Sequence, residues 1–115
     1  MRRGEVRLVD LDASRGSEAN KRRPSVIVSN DRANAVAERL GRGIVTVVPV
    51  TSNLAKVFPF QVLLRAEVSG LQVDSKAQAE QVRSIAVERL GPALGQLPPA
   101  VMAELDQALR LHLQL

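Results

Sequence analysis

Arg23 and Thr51 are the two side chains whose types and placement suggest joint chemistry. Arg23 closes a knot of three cations, Lys21-Arg22-Arg23, and leads through Pro24 and Ser25 into Val26-Ile27-Val28 and the polar turn Ser29-Asn30-Asp31. Proline fixes its own φ and biases the residue before it toward extended geometry. Arg23 is therefore expected at the start of a buried strand, where a loop enters it. A guanidinium fixed at such a point is a candidate ligand for an anion or phosphate. Thr51 closes a second apolar run, residues 43–50, and is followed by Ser52 and Asn53. Sequential strands are often neighbours. If these two are, the guanidinium and the hydroxyl meet at one end of the sheet. Together they could hold the non-bridging oxygens of a phosphodiester as charge builds on phosphorus. Taken singly each has a plainer reading: a solvated basic loop, and a hydroxyl that caps a turn.

Composition narrows the chemistry further. The 115 residues make one domain, 1–115, large enough for a real core. Without cysteine there is neither a disulfide framework nor a thiolate metal site. The one histidine, His112, excludes a two-histidine ribonuclease mechanism and reads as a surface side chain of the last helix. It also leaves zinc almost without ligands. Carboxylates are dispersed, with Glu18 and Asp31 the only pair flanking the basic stretch, which disfavours a magnesium nuclease. There is no glycine-rich phosphate loop, dinucleotide fingerprint or nucleophile elbow. No cofactor is expected. No apolar run approaches the roughly 18 residues of a membrane span, so the reading is a soluble, cytoplasmic protein. The net charge is +4 and 13 of the 16 cations are arginine, which suits bidentate contact with polyanions. With two Phe and no Tyr or Trp, no broad base-stacking platform can form. Arginine and polar contacts would have to hold a nucleic acid.

Several short elements must position these groups. Residues 4–11 alternate and then switch face, which predicts a strand with a bulge or bend. Residues 12–23 are polar and aperiodic, a long loop of the kind that tends to be functional. A strand at 25–29 leads to a helix at 32–40, capped by Asn30-Asp31 and ended by Gly41, with Ala33, Val36, Ala37 and Leu40 on its inner face. The β-branched run 43–50 predicts a central strand, with Pro49 placing its end at an edge or bulge. Residues 54–59 form a loop, 60–66 a period-2 strand, and Ser69-Gly70 a turn. Residues 75–85 read as strand in preference to helix, 87–90 as a helical turn closed by Gly91-Pro92. Pro98-Pro99 opens a terminal amphipathic helix with Val101, Leu105, Ala108 and His112 at helical spacing. The sum is a mainly β fold: five or six short strands in a small bent barrel, with a C-terminal helix and short helices outside it.

In sequence order the fragments resemble the MazF/PemK (Kid) toxins of bacterial toxin–antitoxin systems. Arg3-Gly4-Glu5-Val6 and Asp10-Leu11 resemble that family's opening, and Gly16-Ser17-Glu18 followed by Arg23-Pro24-Ser25-Val26-Ile27-Val28-Ser29-Asn30-Asp31 resembles its core motif. Val47-Val48-Pro49-Val50-Thr51-Ser52 resembles the strand that ends in threonine, and Glu80-Gln81-Val82-Arg83-Ser84-Ile85 with Arg89-Leu90 resembles the later motif. The chain departs from the pattern at residues 76–79, where an apolar strand is usual, and at Ala86, where Asp is common.

The resemblance implies an SH3-like/CcdB–PemK-like barrel acting as a homodimer, and a sequence-specific, metal-independent endoribonuclease. A ribose 2′-hydroxyl attacks its own phosphate, leaving 2′,3′-cyclic phosphate and 5′-hydroxyl ends on single-stranded RNA. Arg23 and Thr51 carry over as the catalytic residues. Ser17, Glu18, Lys21, Arg22, Ser52, Asn53, Phe58 and Gln81 are expected to line the RNA groove. The implied partner is a MazE-like antitoxin whose acidic, disordered tail occupies the same groove. Arginine side chains stay protonated at neutral pH, so Arg23 fits an electrostatic clamp better than a general base. The base is then Glu18, a water, or an arginine perturbed by burial. Two other readings compete. A CcdB-like gyrase poison is disfavoured because the chain has no tryptophan and ends Leu111-His112-Leu113-Gln114-Leu115. An inactive nucleic-acid-binding relative would have lost Arg23 or Thr51, and both are present.

Overall fold

The structure, a computed structural model, describes residues 1–11 and 22–115. Among the described residues, seven strands are arranged in the order β4-β5-β3-β2-β1-β7, with β6 paired to β3 beside β5, and every pairing is antiparallel. These are β1 (Glu5–Asp10), β2 (Arg22–Ile27), β3 (Ile44–Thr51), β4 (Gln61–Leu64), β5 (Ser75–Gln78), β6 (Arg83–Ala86) and β7 (Leu90–Gln96). Helix α1 (Asp31–Leu40) follows β2, the four-residue α2 (Ala66–Ser69) follows β4, and α3 (Pro99–Leu113) ends the fold. The mainly β expectation with a C-terminal helix holds. The path of the sheet is open from β4 to β7.

The central strand β3 is buried on both faces. Val48 and Val50 join Val6, Val26, Val62, Leu64 and Leu105 in one apolar cluster. Val45 and Val47 join Val9, Leu11, Ile27, Ala37 and Ile85 in another. Pro49 is also buried, and its missing N–H has a structural reason. Residues Ile44 to Val47 pair with β6 and residues Val50 and Thr51 with β5, so Val48 and Pro49 fall where one neighbour gives way to the next. A proline can sit inside a sheet where no ladder bond is asked of it.

Local signals around α1 behave as expected. Asn30 Oδ1 accepts the Ala33 N–H at 2.8 Å, and Gly41 closes the helix at φ +65°. Its buried face differs from the expected one. Asn34 and Ala37 are buried, while Val36 and Leu40 are 39% and 54% exposed. The helix is turned by a polar anchor, because the Asn34 side-chain amide donates to the Ser29 carbonyl at 2.8 Å. The ambiguous residues 75–85 split into β5, a 3₁₀ turn at Ala79–Gln81, and β6. The strand expected at 60–66 ends at Leu64, residues 66–69 form a helix ahead of Gly70, and residues 90–96 form β7 despite Gly91, Pro92 and Gly95.

Arg3 ties the two ends of the fold together. Its Nε donates to the Val28 carbonyl at 2.8 Å and its Nη2 pairs with Asp106 on α3 at 2.7 Å.

Candidate active site

The loop of cations is in part a strand. Arg22 and Arg23 open β2, paired with Asp10 and Val9 of β1, so Arg23 is placed by backbone ladders and not by the entry of a loop. Adjacent strand residues point to opposite faces, and this separates the two arginines. Arg22 is exposed and lines a cavity of about 520 Å³ with Asp10, Glu88 and Arg89. Arg23 is half-buried and lines a different cavity of about 550 Å³, together with Thr51 and Ser52.

The pairing of β2 with β3 explains that meeting. Ser25 lies opposite Pro49 and Val26 opposite Val48. That ladder ends at Ser25 and Pro49, and two residues beyond it on each strand Arg23 and Thr51 line the same cavity. On the far side, Thr51 lies opposite Lys76 of β5. Thr51 Oγ1 also accepts the Asn53 N–H at 3.2 Å, and Asn53 Oδ1 accepts the Ala55 N–H at 3.1 Å. The turn-capping use of the hydroxyl is therefore real and leaves its O–H able to donate.

The remaining expected site residues fall at varied distances from this centre. Ser17, Glu18 and Lys21 lie outside the described residues. Asn53 is exposed just past the cavity lining. Phe58 lies on the connection from β3 to β4 and does not line the cavity. Its ring stacks on Phe60 with centroids 5.2 Å apart, and the Lys56 ammonium sits 4.7 Å from its centroid. Gln81 ends the 3₁₀ turn, half-buried and apart from the cavity. His112 is exposed on α3, tilted against Phe60 at 6.5 Å between centroids.

Two features escape a reading of the sequence. The first is Lys76, whose long side chain is only 7% exposed and whose ammonium donates to the Lys56 carbonyl. It stands in the stretch that departs from the family pattern, and that departure was the one available signal. The second is the cavity's outer wall, Gly70, Leu71, Gln72, Val73, Ser75 and Leu94. Gly70 has φ +79°, and a Cβ there would strike the Leu94 carbonyl oxygen, just as one at Gly95 would strike that of Ser69. Two glycines thus let the turn after α2 press against β7. Among the described residues no three His, Asp or Glu side chains gather at one point.

The sequence and the fold place the chain in a class of toxins. The family model of the PemK-like, MazF-like toxins of type II toxin–antitoxin systems matches residues 2–113. Endoribonuclease MazF9 of Mycobacterium tuberculosis is 69% identical over 115 residues, spanning 100% of this chain and 98% of that protein. MazF from Deinococcus radiodurans superposes with a TM-score of 0.80 at 28% identity, covering 100% of this chain and 97% of that one. A mycobacterial endoribonuclease in complex with its cognate antitoxin gives 0.79 at 25% identity, covering 100% and 96%. The chain belongs to the PemK/MazF toxin family.

Proposed function

We propose that this chain is a toxin acting as a sequence-specific, metal-independent endoribonuclease on single-stranded RNA in the cytoplasm, held in check by a cognate antitoxin. Its 115 residues are one toxin domain, working as a homodimer. The observation that carries the reading is that Arg23 and Thr51, two residues beyond the last β2–β3 pair, line one cavity. Support comes also from the relative named as an endoribonuclease and from the solved endoribonuclease–antitoxin complex.

In the reaction, the ribose 2′-oxygen forms a bond to the adjacent phosphorus as the bond to the 5′-oxygen breaks. The 2′-proton leaves to a base, and the departing 5′-oxygen takes up a proton. Negative charge gathers on the non-bridging oxygens in between. The Arg23 guanidinium supplies fixed N–H donors to those oxygens, and the Thr51 hydroxyl adds one more. Donors fixed before the reaction stabilise developing charge without reorganising. Ser52 and Asn53, at the rim, are placed to meet the flanking backbone. The antitoxin's acidic tail competes for the same cations.

The test is digestion of RNA in excess EDTA by wild type, Arg23→Ala and Thr51→Ala, with analysis of the fragment ends. Discrete cuts with cyclic-phosphate ends are expected from wild type. Arg23→Ala should slow cutting about 10²–10³-fold, the scale for loss of one preorganised donor, with a smaller loss for Thr51→Ala. Cleavage abolished by EDTA would move the chemistry to the carboxylates, and a wild type that cuts no RNA would leave a binding role.

A further inference from the structure

The cavity that holds Arg23 and Thr51 has two unlike halves. The polar half is Arg23, Thr51 and Ser52. The other half is aliphatic, made by Pro24, Leu71, Val73 and Leu94. Val73 is 56% exposed and Leu94 37%, so large apolar side chains stand open to water beside a cationic centre. A polar half that suits a phosphate, continuous with an apolar half, matches the division within a single nucleotide. At about 550 Å³ the cavity also falls within the roughly 300–1,000 Å³ usual for small-ligand sites.

Resting on the ribonuclease reading, we infer that this apolar half is a nucleobase subsite next to the cleaved phosphate, and that Gln72 reads the base. The faces of the base lie against Leu71, Val73 and Leu94. Aliphatic walls stand in for the aromatic ones that single-strand binders commonly use, because both phenylalanines are stacked on each other elsewhere. Such walls shed water from any base and so add affinity without selectivity. Selectivity falls to the polar group at the edge of the slot. Gln72 is exposed and lines the cavity on the turn between α2 and β5. Its amide offers a donor and an acceptor side by side, the pattern that pairs with the N6 and N7 edge of adenine. In single-stranded RNA that edge is open to contact.

The experiment sequences the cut ends left on a randomised RNA pool by wild type, Gln72→Glu and Leu94→Ala. Wild type should show adenine enriched at one position flanking the cut. Gln72→Glu keeps the acceptor and removes the donor, so that preference should fall about tenfold and shift toward cytosine, whose amino group a carboxylate accepts. The cut phosphate and the fragment ends should stay as they are. Leu94→Ala should slow cutting of all sequences with the preference intact. Base preferences unchanged in an active Gln72→Glu, or no adenine next to the wild-type cut, would overturn the subsite alone. A wild type that cuts nothing would overturn the ribonuclease reading and the subsite with it.

Discussion

The proposed catalytic pair and the connection that follows it, residues 52–60, are held in place by different means. Arg23 and Thr51 belong to strands whose backbone ladders run on through β1, β2, β3 and β5. The connection is held by side chains. Asn53 caps its own turn, the Phe58 N–H donates to Gln61 Oε1 at 3.1 Å, and the buried Lys76 ammonium grips the Lys56 carbonyl. A ladder is indifferent to most side chains, so it fixes the pair against many substitutions. Side-chain anchors can be removed one at a time, so the connection and its Phe58 ring are open to adjustment.

Three substitutions probe that division. The largest effect is expected from Gly70→Val, where the wall of the cavity rests on backbone against backbone. The new side chain meets the Leu94 carbonyl and must adopt a positive φ. A loss of about 3–5 kcal/mol, the upper range for point changes, should appear in urea unfolding. Lys76→Met comes next. An apolar replacement for a buried cation leaves stability within about 1–2 kcal/mol of wild type. The Phe58 amide should nevertheless exchange with solvent several-fold faster, while exchange in β2 and β3 stays slow. Equal acceleration in both places would erase the distinction between ladder and anchor. The smallest effect belongs to Arg3→Ala, which removes the pairing with Asp106 between groups about a third exposed and the bond to the Val28 carbonyl. About 1 kcal/mol or less is expected from the denaturation midpoint, with RNA cutting unaltered.

Much of this was legible in the chain, and the rest was hidden for identifiable reasons. The cap residues Asn30 and Gly41 marked α1 correctly, and the β-branched run before Thr51 marked β3. The placing of Arg23 near Thr51 needed only the assumption that consecutive strands pair. The inner face of α1 was misjudged because apolar spacing was followed, while a buried Asn34 anchored to the Ser29 carbonyl governs the rotation. Strand β7 was missed because Gly91-Pro92 read as the close of a helical turn at residues 87–90. The strand's two glycines are there for close approach, since a Cβ on Gly91 would meet the Leu8 carbonyl oxygen at 2.9 Å and one on Gly95 that of Ser69. The wall at residues 70–73 was invisible for the same reason: its position depends on a contact with β7, more than twenty residues away in sequence.

Strand β3 has apolar neighbours on both faces from Val45 to Val50. A strand of that kind offers evolution almost no neutral positions, because any change within it shifts a packed cluster and is felt at Thr51. Variation must accumulate where the chain leaves the sheet, at residues 52–60 and 70–73. On the proposed assignment of the site, such a molecule can drift in which RNA it prefers while the proposed catalytic pair stays fixed, so lineages that start from one ancestor should diverge in target long before they diverge in reaction.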